Sequence, residues 1–346
     1  MTDIMVGAGT NGNNRKVTTR AEVLTDRYGR FHDYLRVSLT DRCNYRCVYC
    51  MPEDGIVCQA REELLTFEEI ERLVRFFVER GVRKVRLTGG EPSVRKEYLT
   101  LVDRLSKVSG LESLAMTTNG SRLAKDAVAL KMAGLNILNV SLDTLRPDRF
   151  TEITRRSDFS NVLAGIEAAL KAGIETKINV VVLPDLNDDE VLAFVEFAKR
   201  QTITVRFIEF MPFLDNGWHP SRVISSAELR ERISACYRLQ AISGNASDVA
   251  REYSIDGGES RVAFVSSVTE SFCQGCSRLR LTADGQLKSC LFLPASVSLR
   301  DLIRANVDEE RLEGAVRTCL DGKWKAHPPM RDWAQRDHLT MVQIGG

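Results

Sequence analysis

Ten residues, Asp41-Arg-Cys-Asn-Tyr-Arg-Cys-Val-Tyr-Cys50, constrain this chain more than any others. They place Cys43, Cys47 and Cys50 at C-x3-C-x2-C spacing, close enough for one loop to grip one metal centre. A tetrahedral zinc site takes four ligands, and a four-iron cluster usually takes four cysteines. Three thiolates leave one corner open, and a small molecule can bind there. A zinc knuckle that borrows a distant fourth ligand satisfies the same spacing.

A second set repeats the pattern. Cys273 and Cys276 form a C-x2-C pair, and Cys290 follows after a segment whose Asp284-Gly285 reads as a hairpin turn. The hairpin returns Cys290 to the pair, again with three ligands. A histidine could complete a zinc site, but His219, His327 and His338 are remote from this stretch. Arg278 and Arg280 share one side of the strand after Cys276 and suit a negatively charged ligand. The cysteines number nine, and no apolar leader precedes them, so they read as intracellular metal ligands plus free thiols. Cys58, Cys236 and Cys319 read as ordinary buried thiols. The charge balance, 48 basic against 47 acidic side chains, gives no global pull toward nucleic acid or a membrane surface. No apolar run is long enough to span a bilayer.

Between the two sets the periodicity alternates. Leu35–Thr40 has the two-residue period of a strand. Thr66 and Glu69 form a capping box ahead of Phe67, Ile70, Val74 and Phe77 at helical spacing, with Gly81 at the C′ position. Strands at 82–88, within 111–120, at 136–142, 176–182 and 203–210 alternate with helices near 95–109, 122–133, 159–172 and 187–200. Such strand-then-helix repetition implies a parallel sheet with right-handed crossovers. About six units suggest an incomplete, three-quarter version of the eight-unit barrel; a doubly wound sheet is the alternative. The expected organisation is a flexible tail over 1–21, a partial barrel over 22–225 and a C-terminal region over 226–346 packed on it.

Strand parity carries chemistry. Arg36, Ser38 and Thr40 share a face, as do Lys84, Arg86 and Thr88, then Asn139, Ser141 and Asp143, then Lys177 and Asn179, then Thr204 and Arg206. The opposite faces are apolar and must pack on helices, so the polar faces line the interior. An interior with several cations is costly unless it holds water or an anion. The expected ligand is polyanionic. Gly89-Gly-Glu-Pro92 ends a strand, where sites gather in this architecture.

Taken together, the first triad with Tyr49 before its last cysteine, the GGEP element, Thr117-Thr-Asn-Gly120, the second triad with its Arg278-Leu279-Arg280 insert, and the terminal Gly345-Gly346 resemble one family. It is the GTP 3′,8-cyclases of molybdenum cofactor biosynthesis, within the radical S-adenosylmethionine (SAM) superfamily. The resemblance covers roughly 22–346. It implies a [4Fe-4S] cluster on Cys43, Cys47 and Cys50 with SAM on the open iron, and a second [4Fe-4S] cluster on Cys273, Cys276 and Cys290 facing the guanine. Tyr49, Gly90, Glu91, Ser141 and Met211 match the family's SAM contacts. Arg36, Arg86, Thr117, Lys177, Arg278, Leu279 and Arg280 match its GTP contacts, with Thr117 and Thr118 as neighbouring choices. Lys84, Arg206, Gly345 and Gly346 form a second rank. The implied chemistry is radical, with no side-chain acid or base: hydrogen leaves C3′ of GTP and a C3′–C8 bond closes. The resemblance further implies an electron-donor protein, a downstream cyclic pyranopterin monophosphate synthase, a cytoplasmic location and a homodimer as an allowed state. No nucleic-acid polymer and no membrane enters. A peptide-modifying radical SAM enzyme and a zinc-stapled nucleotide-binding module are the competing readings.

Overall fold

The computed structural model describes residues 22–334 and 340–345. The tail expected over 1–21, His338 and Gly346 lie outside the described residues. The strands are β1 (Tyr34–Ser38), β2 (Lys84–Thr88), β3 (Ser113–Thr118), β4 (Ile137–Ser141), β5 (Glu175–Val182), β6 (Thr204–Glu209), β7 (Leu239–Ala241), β8 (Arg251–Ile255), β9 (Arg261–Val265), β10 (Arg278–Leu281), β11 (Gln286–Lys288) and β12 (Val297–Ser298). The helices are α1 (Phe67–Glu79), α2 (Tyr98–Ser106), α3 (Leu123–Met132), α4 (Pro147–Thr154), α5 (Phe159–Lys171), α6 (Val191–Gln201), α7 (Ser226–Ser234), α8 (Leu299–Arg304), α9 (Glu309–Asp321), α10 (Met330–Trp333) and α11 (Met341–Ile344).

Strands β1 to β6 pair in parallel, in sequence order, with helical crossovers between them. This is a partial barrel of the triosephosphate-isomerase type, as the alternation implied. Helix α1 begins at Thr66, whose side chain accepts from the Glu69 amide at 3.2 Å while the Glu69 carboxylate accepts from the Thr66 amide at 2.8 Å. Its buried face (Ile70, Leu73, Val74, Phe77) packs into the layer that also covers Val85 and Leu87 of β2. Helix α4 was not legible as a separate element: it starts on Pro147, suited to a first helical turn, and ends at Arg155 in the left-handed region.

Residues after 225 do not build a sheet of their own. Strand β9 pairs in parallel with β6, and β8 and β7 follow it antiparallel. At the other edge β10 pairs in parallel with β1, and β11 and β12 follow. The result is one sheet in the order β12-β11-β10-β1-β2-β3-β4-β5-β6-β9-β8-β7. The C-terminal region thus extends the barrel wall at both edges.

The two faces of the wall differ as strand parity requires. Leu35, Val37, Val85, Leu87, Ile178 and Val180 face the helices and are almost fully buried. Lys177, Asn179 and Val181 on the other face of β5 are only half-buried. Among the described residues no helix is long and apolar enough to cross a membrane. Of the three lone cysteines, Cys319 is buried as expected, but Cys58 and Cys236 are exposed. Cys58 lies in an irregular loop and Cys236 follows the end of α7, so neither sits on an apolar periodic face.

Candidate active site

The first triad occupies the loop after β1, at that strand's C-terminal end. Tight turns fold it: the Cys50 and Met51 amides both donate to the Cys47 carbonyl, at 3.0 and 3.1 Å. Burial pushes the thiols up, Cys43 to about 11 and Cys50 to about 12; Cys47 is raised further by Cys50 and Cys43, and Cys50 by Cys43. Buried sulfurs that repel one another as thiolates fit a shared cationic metal group. Donors aimed at sulfur fit it too: the Tyr45 amide and the Asn119 side chain reach Cys43 Sγ at 3.4 and 3.9 Å. Among the described residues no three metal-ligating side chains close around a single ion. A cluster does not require that, since each thiolate takes its own iron.

The GGEP turn packs directly beneath this loop. The Gly90 amide donates to Thr40 O at 2.7 Å and the Glu91 amide to Arg42 O at 2.8 Å. A Cβ on Gly90 would lie 2.3 Å from Arg42 O, so the glycine is required by backbone approaching backbone. Glu91 is buried, and its carboxylate accepts from the Ser93 amide at 3.0 Å, the Thr118 hydroxyl at 2.8 Å and the Asn119 amide at 2.6 Å. Its role in this fold is to tie the ends of β2 and β3 together. Tyr49 donates to Asp143 at 2.6 Å, and Asp143 also accepts from the Val181 amide at 2.8 Å. Ser141 ends β4 on the lumen face. Met211 follows β6 and packs with Cys290 against the cluster of Phe213, Phe292, Met330, Trp333 and Ile344.

The second triad lies at the opposite end of the wall. Cys273 and Cys276 immediately precede β10, and β11 runs back antiparallel to deliver Cys290 to the same end. Because β10 is parallel to β1, the two triads lie at opposite ends of neighbouring strands. Burial acts to raise the Cys276 thiol, but the charges of Arg278 and Lys323 outweigh it and bring it to about 6. Arg278 lies 3.7 Å and Lys323 3.5 Å from Cys276 Sγ. Donors on a buried sulfur fit a thiolate ligand.

Sequence reasoning missed the Lys323 network. Its buried ammonium donates to His32 Nε2 at 2.8 Å, Arg278 O at 3.1 Å and Cys276 Sγ. His32 Nδ1 faces Leu24 O at 3.0 Å and must donate there, which leaves Nε2 to accept. Burial, then the charge of Lys323, holds the His32 ring down at about 3. Arg30, paired with Asp26 at 2.7 Å, donates to Cys273 O at 2.6 Å. His32 and Lys323 are far apart in sequence, so no local pattern could have joined them. The His327 ring packs on that of Phe292, with centroids 5.3 Å apart.

Between the triads runs a row of cations. Register places Lys288 beside Arg280, Arg280 beside Arg36, and Arg36 beside Arg86, across β11, β10, β1 and β2. Burial, joined by neighbouring arginines, lowers Arg36 to about 10 and Lys288 to about 8. Arg280 is lowered too, by burial and then by Arg36 and Arg278. Arg86 is buried and donates to Tyr34 Oη at 2.6 Å, Met116 O at 3.3 Å and Thr117 Oγ1 at 3.4 Å. Thr117 therefore faces the lumen, and Thr118 faces Glu91. Lys84 approaches the Tyr34 ring, 5.1 Å from its centroid. Lys177 pairs with Glu175 at 3.0 Å and Glu252 at 3.4 Å. Burial and then Arg86 lower Arg206 to about 10, and its Nε is buried without a hydrogen-bond partner. Leu279 is buried toward the helices, so only its backbone faces the site. Sequence parity flagged every member of the row except Lys288, and it passed over Tyr34. Such a concentration of buried cations is unfavourable alone and fits a polyphosphate.

The Radical SAM superfamily model matches residues 37–198, and the Molybdenum Cofactor Synthesis C model matches 203–329. The chain is 44% identical over 328 residues to the mitochondrial GTP 3′,8-cyclase of Arabidopsis thaliana, covering 94% of this chain and 84% of that protein. It is 43% identical over 330 residues to the GTP 3′,8-cyclase of Rhodopirellula baltica, covering 93% and 92%. The chain belongs to the GTP 3′,8-cyclase family. Other relatives are longer: identity to the Drosophila melanogaster molybdenum cofactor biosynthesis protein 1 is 45%, over 90% of this chain but 56% of that protein. Among solved structures, Streptococcus suis SuiB bound to S-adenosylmethionine superposes with a TM-score of 0.55 at 14% identity, over 83% of this chain and 68% of that one. That likeness shows a shared radical SAM fold.

Proposed function

We propose that this chain cyclises GTP to 3′,8-cyclo-7,8-dihydroguanosine 5′-triphosphate, the first step of molybdenum cofactor biosynthesis. The observation that carries this reading is the Lys288–Arg280–Arg36–Arg86 row set between two cysteine triads at opposite ends of neighbouring strands. Cys43, Cys47 and Cys50 would hold a [4Fe-4S] cluster that works with SAM, and Cys273, Cys276 and Cys290 would hold a second. With SAM, the first cluster supplies one-electron chemistry able to break an unactivated C–H bond.

The protein's own part is placement. The cation row, with Arg206 and Lys177, receives the triphosphate through charge-assisted hydrogen bonds. The second triad, with Arg278 beside it, receives the guanine. The nucleotide lies along the wall, so its ribose C3′ points toward the SAM end. Tyr49, Gly90, Ser141 and Met211 line that end, and Glu91 holds its loops. A wall of buried strands keeps water from the reacting carbon. In this reading residues 22–225 are the radical SAM unit, and 226–346 supply the second cluster and the tail. An electron-donor protein feeds the first cluster, and a cyclic pyranopterin monophosphate synthase consumes the product in the cytoplasm.

The test is air-free reconstitution with iron and sulfide, followed by GTP, SAM and a reductant. Cyclised nucleotide and 5′-deoxyadenosine are the expected products. A protein that holds zinc and no iron, or that yields 5′-deoxyadenosine with a peptide substrate and never with GTP, would overturn the reading.

A further inference from the structure

Tyr34 stands on the lumen face of β1, between Arg278 of β10 and Lys84 of β2 in register. Its phenol oxygen takes the Arg86 Nε–H at 2.6 Å. Arg36, two residues on along the same strand face, also hydrogen-bonds to it. The Lys84 ammonium lies 5.1 Å from the ring centroid. From β6, Arg206 feels the phenol oxygen's charge. The acidic groups of this region, Glu175 and Glu252, are engaged with Lys177. Tyr34 thus has cations from β1, β2 and β6 around it.

We propose that Tyr34 is a positioning residue that serves as the lumen's built-in counter-ion. Its phenolate oxygen holds Arg86 in place before substrate arrives, and it yields to the triphosphate by taking up one proton from solvent. The inference rests on the reading that the triphosphate enters this lumen. The electrostatics support the geometry. Burial acts to raise the phenol, but Arg86, Arg36 and Lys84 outweigh it and bring it from 10.0 to about 7. A triphosphate binding the same arginines withdraws that stabilisation and adds negative charge, so the phenolate protonates. No bond is made or broken beyond this O–H.

Phosphate-binding cations without a partner would repel one another and splay. A side chain that is anionic when the lumen is free, and neutral when it is filled, keeps them convergent without competing with the substrate. The requirement selects tyrosine: a carboxylate would stay charged, and a phenylalanine would offer no acceptor.

The experiment titrates the air-free, cluster-loaded protein with inorganic tripolyphosphate, which does not absorb in the near ultraviolet. The signal is the tyrosinate band. At pH about 7 the wild type should lose about half an equivalent of tyrosinate as tripolyphosphate saturates. Tyr45, Tyr49, Tyr98 and Tyr237 are all pushed up and stay silent. Tyr34→Phe should bind tripolyphosphate with no change in the band. If the wild type binds tripolyphosphate and the band does not move, or if Tyr34→Phe shows the same loss, the inference is wrong. If neither GTP nor tripolyphosphate binds the wild type, the failure lies with the lumen as the triphosphate site. The wild-type titration decides the matter even if the variant does not fold.

Discussion

The Gly345 carbonyl accepts a 2.7 Å hydrogen bond from the Thr88 hydroxyl, across 257 residues of sequence. Thr88 ends β2 on the lumen face, so this contact brings the C-terminal segment to the interior of the barrel. Helix α11 delivers it: Val342 and Ile344 are buried, and Gly345 adopts φ 84°, in the left-handed region. A Cβ at Gly345 would lie 2.6 Å from Ser38 Cβ.

Gly345→Ala should therefore free the tail without unfolding the barrel. The left-handed backbone alone costs a non-glycine residue on the order of 1–3 kcal/mol, and the Ser38 contact adds to it. The expected outcome is unchanged iron content, unchanged thermal midpoint and a loss of GTP turnover. Full turnover in this variant, or in one truncated after Ile344, would show that the tail has no part in the chemistry.

The row of cations makes a graded prediction about GTP affinity. Arg86→Ala should weaken binding by on the order of 1.5–3 kcal/mol, roughly ten- to a hundredfold, with both clusters retained. Lys177→Ala should weaken it as well, partly by a different route, because it removes the 3.4 Å cation beside Glu252 and leaves that carboxylate with Arg261 alone, at 3.0 Å. The double variant Lys177→Ala with Glu252→Ala should then bind GTP more tightly than Lys177→Ala. Calorimetry on air-free protein checks all three. Wild-type affinity in both single variants would mean that neither side chain meets the substrate.

His32 sets a pH dependence of stability. The unfolded chain takes a proton on this ring near 6.5, while burial and the Lys323 charge hold the folded ring neutral down to about 3. Between those values the unfolded state binds more protons, so the contribution of His32 is fully present above 6.5 and is lost as pH falls through that window. The slope is up to about 1.4 kcal/mol per pH unit. Air-free denaturant midpoints of the wild type and His32→Gln, compared across this range, should converge as the pH falls. Parallel lines would place the pH sensitivity elsewhere.

What could be read in the sequence was local. The triads lie in short loops, the capping box at Thr66 spans four residues, and the two-residue period of β1 and β2 already turned Arg36 and Arg86 to the same side. What could not be read depends on pairing between distant strands. Nothing near Arg36 announces that β10 will lie beside it, 244 residues later, and align Arg36 with Arg280. Without that pairing Lys288 is one lysine in a hairpin. Tyr34 was passed over for another reason: a tyrosine in a strand usually reads as packing, and only the folded sheet brings Arg36, Arg86 and Lys84 around it. Glu91 shows the converse, since its motif was plain but its carboxylate is consumed in joining β2 to β3.

The two triads look alike in sequence and differ in surroundings, and this separates their roles. Cys47 is raised by burial and then by the neighbouring cysteines, and its loop packs on the GGEP turn. Cys276 is held by Arg278 and Lys323 and opens onto the cation row. If the first triad activates SAM and the second receives guanine, loss of a ligand from each must fail differently. Cys47→Ser should abolish 5′-deoxyadenosine formation altogether. Cys276→Ser should keep the first cluster and some uncoupled cleavage of SAM, yet form no cyclised nucleotide. Each variant should lose about one cluster's worth of iron. 5′-Deoxyadenosine, cyclised nucleotide and iron are measured side by side without air. Cyclised product from Cys276→Ser would make the second triad structural, and its facing of the lumen would be incidental. 5′-Deoxyadenosine from Cys47→Ser would mean that SAM is activated elsewhere, and that the site at the C-terminal end of β1 does something other than what its cysteines, its glycine turn and its family imply.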